Sequence, residues 1–126
     1  MRLLVAIGLL GVAFAGCVTP SIPIPPPDPA RMTFTLQGAG TGDSRAVFAY
    51  EADTSLIDAI VFVYDRNRGE GIITDANADG SVGPTAPLAA DLGDEIVVTF
   101  QRDDQTASKC IRLRDGAQSS TDFCGP

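Results

Sequence analysis

From Arg31 onward, apolar and polar positions alternate in short runs. Met32, Phe34 and Leu36 alternate with Thr33, Thr35 and Gln37, a period of two that predicts a strand with one buried face. Gly38 to Asp43 carries three glycines and interrupts the run. Ala46, Phe48 and Tyr50 continue the alternation in a second strand. Ile57 to Tyr64 is apolar on both parities, the pattern of a central strand buried on both sides. Asp65 to Gly71 is polar and predicts a turn. Ile72 to Thr74 and Ser81 to Val82 flank the Asp75–Gly80 segment, whose Asp, Asn and Gly residues suit a tight hairpin turn. Ile96, Val98 and Phe100 alternate with Val97, Thr99 and Gln101, and Ile111 and Leu113 alternate with Cys110, Arg112 and Arg114. Pro84 and Pro87 limit Ala86–Ala90 to a brief helical turn at most. The pattern predicts an all-β domain of about six or seven short strands, and evenly spaced short strands point to a sandwich or barrel.

The segment ahead of this domain has a different composition. Six of the thirteen residues from Val18 to Ala30 are proline. Such a run forms neither a helix nor a central strand, and it extends at about 3.1 Å per residue. It reads as a semi-rigid spacer. Before it, Arg2 supplies a positive start, Leu3 to Phe14 is uncharged and apolar, and the small residues Ala15 and Gly16 precede Cys17. These are the parts of a secretory signal, and the apolar run is short for a membrane span.

Phe14-Ala15-Gly16-Cys17 resembles the lipobox of bacterial lipoproteins, with Phe14 where those families usually place Leu. The resemblance implies cleavage before Cys17 and acylation of its thiol. The expected organisation is a signal peptide over 1–16, a lipidated cysteine and Pro-rich linker over 17–30, and a β-domain over 31–126. Attachment is then to the cell envelope through lipid. Where the host has two membranes, Val18 in place of the inner-membrane retention Asp favours the outer membrane.

Composition narrows the partners. The formal net charge is −7, with nine basic against sixteen acidic residues. Phosphate backbones demand clustered Lys and Arg, so nucleic acid is not an expected partner. Anionic head groups would repel the domain, which leaves the lipid to hold it on the bilayer. Cys110 and Cys124 remain as an even pair in an exported chain, the setting in which disulfides persist. Two free thiols, or half of a metal site, are the alternatives. With no histidine in the chain, zinc is disfavoured.

A second resemblance lies between Ile60 and Phe100. The residues Val61-Phe62-Val63-Tyr64-Asp65, Gly69, Thr74-Asp75-Ala76-Asn77-Ala78-Asp79-Gly80-Ser81-Val82 and Gly93-Asp94-Glu95-Ile96-Val97-Val98 look like bacterial immunoglobulin-like and transthyretin-like (carboxypeptidase-regulatory-like) modules. The resemblance implies an immunoglobulin-like sandwich at a bacterial surface, with a role in binding, spacing or display. The expected function is non-enzymatic binding or scaffolding by a lipid-anchored envelope protein that meets an envelope protein partner. An inhibitor or accessory subunit of an exported enzyme is one alternative. A calcium-dependent adhesin-like module is another.

The calcium alternative rests on Asp75-x-Asn77-x-Asp79-Gly80, which matches the start of a calcium loop. The twelfth position, where a bidentate Glu is normal, is Ala86. The hairpin turn accounts for the same residues, and no metal ligand or cofactor is assigned. Asp91, Asp94 and Glu95, and Asp103 and Asp104, lie in polar, turn-like stretches where solvated carboxylates are the rule. Ser44, Ser55, Ser81 and Ser108 have no histidine to activate them, so no catalytic residue is expected. Arg66-Asn67-Arg68 reads as a solvated basic turn. Phe48, Tyr50, Phe62, Tyr64 and Phe100 read as core and cross-strand pairs.

Overall fold

The computed structural model describes residues 23–121 and residue 124. The signal segment 1–16 and Cys17 lie outside the described residues. Eight strands form two antiparallel four-stranded sheets. In chain order they are β1 (Met32–Gln37), β2 (Arg45–Tyr50), β3 (Ile60–Asp65), β4 (Glu70–Asp75), β5 (Leu88–Ala89), β6 (Glu95–Arg102), β7 (Gln105–Arg112) and β8 (Gly116–Ala117). One sheet has the order β5-β2-β1-β8 and the other β4-β3-β6-β7. Taking β1, β2, β3, β4, β5, β6 and β7 as A, B, C, C′, E, F and G gives E-B-A on one sheet and C′-C-F-G on the other. That is the order of immunoglobulin-type sandwiches. The expected all-β sandwich is therefore present, with eight strands because two-residue β5 and β8 fall below what alternation can signal.

The period-two pattern sets the core. On the first sheet, Met32 faces Tyr50 and Phe34 faces Phe48 across the β1–β2 ladder, and all four are buried. On the second sheet, Val61, Val63, Ile96, Val98, Phe100 and Ile111 are at most 1 % exposed. Phe34 and Phe48 lie 5.0 Å apart between ring centroids. Tyr50 meets Phe100 edge-on at 5.0 Å and so joins the two layers.

Three expectations change. First, β3 is central in its sheet but is buried on one face only. Val61 and Val63 point into the core, whereas Ile60 and Tyr64 are 38 % and 45 % exposed and Phe62 is half-buried. A two-layer sandwich has nothing to cover its outer faces, so apolar residues on both parities do not imply burial on both. Phe62 and Tyr64 are accordingly surface aromatics.

Second, the Asp75–Gly80 segment does not close a hairpin. β4 pairs only with β3, while Val82 bridges to Tyr50 on the opposite sheet. The segment carries the chain from one layer to the other. It needs Gly80, which has φ +82°, and a Cβ there would fall 1.9 Å from the Asp53 carbonyl oxygen.

Third, the Pro-rich segment does not stand free along its whole length. Ile24, Pro27 and Pro29 are buried, and Ile24 belongs to the core cluster. The Ile24 amide donates to Gln105 Oε1, and the Asp28 amide donates to the Tyr50 hydroxyl at 3.0 Å. Asp28 also caps a short 3-10 turn, Pro29–Arg31. Extended proline offers apolar ring faces and has no conformational freedom to lose, so docking it costs little order. The packed unit therefore includes Ile24, ahead of Arg31.

Gly80→Ala should destabilise the domain by about 1–3 kcal/mol, the cost of a strained left-handed residue, before any adjustment of Asp53. Urea unfolding of the variant beside the parent checks this, and an unchanged midpoint contradicts the close approach to Asp53.

Candidate functional site: a neutral sheet face and the carboxyl pair beneath its rim

The outer face of the β4-β3-β6-β7 sheet is assembled from the outward parity of its strands. The register sets Ile73 beside Phe62, Phe62 beside Thr99 and Thr99 beside Ser108. The next row runs Gly71, Tyr64, Val97 and Cys110. Ile60, Gln101 and Thr106 extend it on the other side. Asp75 stands beside Ile60 at one end of these rows and Glu95 beside Arg112 at the other, and the side chains between them are uncharged, in a chain of net charge −7. Ile73 is 70 % exposed, the most exposed large apolar residue among those described. The Thr99 and Ser108 hydroxyls share a hydrogen bond of 2.7 Å on the far half of the face. Gly71 leaves a notch into which a Cβ would not fit, because it would lie 2.5 Å from the Val63 carbonyl oxygen and 3.2 Å from the Tyr64 ring. A shallow hollow of about 270 Å³ results, lined by Phe62, Val63, Tyr64, Gly71, Ile72 and Ile73. Such a face offers apolar area with hydroxyls and amides at its margin, which suits recognition of another macromolecule.

A cluster of charged groups lies at one rim. Asp65 ends the inward parity of β3 after Val61 and Val63, so its side chain is driven under the sheet and is fully buried. Its Oδ1 accepts from the Asn67 and Arg68 amides at 2.8 and 3.0 Å, which shapes the β3–β4 turn. Arg68 Nε donates to Asp94 at 2.9 Å and lies 3.8 Å from Asp65 Oδ2. Asp94 also accepts the Asp91 amide at 3.0 Å. Asp65 Oδ2 has no hydrogen-bond partner if both acids are ionised. A proton on Asp65, directed at Asp94, satisfies it. Burial first, and then the Asp94 carboxylate, push the Asp65 pKa up to about 6. Burial acts upward on Asp94 too, but the bonds from Asp65, Arg68 and the Asp91 amide outweigh it and hold Asp94 below the usual carboxylate range.

The expectation of solvated carboxylates is therefore corrected for Asp94. The pairing partner, Asp65, was legible only as an acid on the buried parity of a strand, a signal that the turn after it obscures. Arg66-Asn67-Arg68 is not a free basic turn either. Arg66 is 3.4 Å from Glu95, Arg68 is held by the acids, and Asn67 Oδ1 accepts the Glu95 amide at 2.7 Å. Asp91 is engaged separately: its carboxylate accepts the Gly40 amide at 2.9 Å, and that bond with the Leu92 amide lowers its pKa.

The calcium-loop residues are committed to their own turn. Asp79 Oδ1 accepts the Ser81 amide and hydroxyl at 3.0 and 2.6 Å, and these bonds lower its pKa. Asn77 Nδ2 donates to Ser81 Oγ and to the Gly83 carbonyl. Asp75 closes β4 opposite Ile60. Among the described residues, Glu95, Cys110 and Cys124 are the acid or thiol groups that lie closest to a metal-sized cluster, and there the two sulfurs are bonded to each other. The Cys110–Cys124 disulfide, with Cα atoms 5.2 Å apart, ties the C-terminal tail to the β7 edge of the neutral face. The Cys124 amide adds a bond of 3.2 Å to the Cys110 carbonyl.

No family, curated protein or solved structure matches this chain.

Two outcomes follow from this geometry. Replacing Cys110 and Cys124 by Ser should cost about 3 kcal/mol, the loop-closure value for a ring of this size, read as a lower urea midpoint. The raised pKa of Asp65 means that the folded state holds its proton more tightly than the unfolded chain. Its stabilising share is complete below the ordinary aspartate value near 3.8 and is lost as pH rises through about 6. In Asp65→Asn the amide donates to Asp94 at every pH. The variant should melt higher than the parent at pH 7.5, by a margin that shrinks towards pH 4.5. A margin that does not change with pH contradicts the shared proton.

Proposed function

We propose that this chain is a lipid-anchored cell-envelope protein whose single sandwich acts as a non-enzymatic binding module. The observation that carries the binding role is the neutral, partly apolar middle of the outer face of β4-β3-β6-β7, in an otherwise acidic molecule. Acidic side chains elsewhere discourage unspecific association, and a neutral patch is where close contact costs least desolvation. The Phe14-Ala15-Gly16-Cys17 motif supports the anchor. The docking of Ile24 supports a short reach. Only the residues between Cys17 and Ile24 remain to separate the lipid from the packed unit, roughly 20 Å when extended. A partner of this module would be another protein of the same envelope surface, met close to the bilayer, and outer-membrane attachment is favoured in a host with two membranes.

Tyr50 and the Pro-rich segment give the domain a set pose on that short leash. A groove of about 470 Å³ follows the segment, lined by Pro25 to Pro29, Arg31, Tyr50, Asp53, Lys109 and Ser120. Arg31 and Asp53 pair across it at 3.4 Å. Gln105 holds Ile24 on the β7 side of the second sheet, and β4 lies on the opposite edge of that sheet.

Cys17→Ser tests the anchor. The expected result is loss of fatty-acid labelling and release from the membrane fraction. Retention in membranes without label overturns it.

A further inference from the structure

We propose that β4 is an acceptor edge for an extended segment of another envelope protein, one that carries aliphatic residues at its centre and Lys or Arg at its ends. The inference deepens the binding role above and rests on it. Four observations converge on β4.

The first is an open ladder. In the β3–β4 pairing, Ala76 N bonds Ala59 O, which sets Thr74 and Ile72 as the residues bonded to β3. The amides and carbonyls of Gly71 and Ile73 then point away from β3, and no described residue bonds them. The second is the contrast with the other edges. The β7 edge is occupied by the disulfide-linked Cys124 and by the Ile24–Gln105 contact. β5 and β8 have two residues each. Sandwich edges are commonly blunted by short strands, prolines, bulges or charged side chains, and β4 has six residues, no proline and charges only at its two ends, Glu70 and Asp75. The third is the hollow at Gly71. A strand laid beside β4 would bring one side chain over the notch between Tyr64 and Ile73, and alternate side chains in such pockets confer specificity.

The fourth is charge, which selects the occupant. Glu70 and Asp75 bracket the strand, both are exposed, and neither has an ion pair among the described residues. The nearby Arg66 and Arg68 are held by Glu95 and Asp94. A second copy of β4 would add two more acids to one ribbon, in a chain already at −7. A segment with basic ends would face Glu70 and Asp75 instead.

The test is a titration of the full chain in detergent micelles with the peptide Lys-Thr-Val-Thr-Val-Thr-Val-Lys, followed by amide chemical shifts. The control peptide has Glu at both ends. Saturable shifts centred on Gly71 and Ile73, with the Lys-ended peptide roughly tenfold tighter, support the proposal, since two exposed charge pairs together give about that factor. Ile73→Pro removes an outward amide without touching the β3 ladder and should abolish the shifts. Glu70→Lys with Asp75→Lys, both at exposed positions, should reverse the preference towards the Glu-ended peptide. Equal binding of the two peptides overturns the proposal, as do shifts elsewhere or none. So does the same pattern arising from protein concentration alone, which would make a second copy the occupant. The titration reads β4 whether or not Cys17 carries lipid, so its failure is separate from failure of the anchor.

Discussion

Tyr50 is the side chain on which the two sheets, the crossing segment and the Pro-rich approach all converge. Its backbone exchanges both hydrogen bonds with Val82, at 3.0 and 3.1 Å, and that bridge brings the chain over from β4 to the first sheet. Its ring lies at a tilt 6.4 Å from that of Phe48 and meets Phe100 of the other sheet edge-on. Its hydroxyl accepts the Asp28 amide. Burial raises the pKa of that hydroxyl, so it stays protonated and neutral where the core needs it. A tyrosine is suited to the position because one end is apolar and the other satisfies a backbone donor. Phenylalanine would fill the layer and leave Asp28 unpaired. Remove that pairing and the approach segment keeps only the Ile24–Gln105 bond and its buried faces to hold it in place.

The docked approach segment and the disulfide act on the same side of the molecule. Both cover the β7 edge, one through Ile24 and the other through Cys124. That side is closed by covalent and apolar contacts, while the β4 side ends in an exposed ladder. The asymmetry follows from connectivity. Chain flanking the domain at both ends reaches β7, whereas β4 lies between the β3–β4 turn and the crossing segment, and both of those lead away from its edge.

The charged groups show a similar division. Asp65, Arg68 and Asp94 are drawn together at the turn end of the sheet, and Arg66 with Glu95 lies above them. With Asp65 protonated, two acids and one guanidinium sit together with no net charge. A buried carboxyl ties the β3–β4 turn to the turn before β6 without placing charge on the face between them.

Much of the fold was legible in local pattern. β1, β2, β6 and most of β3 follow from alternation alone, because a strand with one wet face must alternate. Cysteine parity pointed to the Cys110–Cys124 bridge. Other features were not legible, each for a physical reason. Ile72 to Thr74 and Ser81 to Val82 read as two arms of a hairpin because Asp, Asn and Gly serve any tight reversal, and only the partner of Val82 reveals a crossing between layers. Ile57 to Tyr64 read as buried on both sides because local composition does not record how many layers a fold has. Val18 to Ala30 read as spacer because stiffness is local, whereas the docking of Ile24 and Asp28 depends on the distant Gln105 and Tyr50. The sequence by itself determined the strand periodicity, the all-β class, the acidic balance and the lipobox resemblance, since each depends on near neighbours. The tertiary structure alone decided which apolar face stays wet, which edge stays open and which two acids share a proton, because those depend on what lies across the sheet.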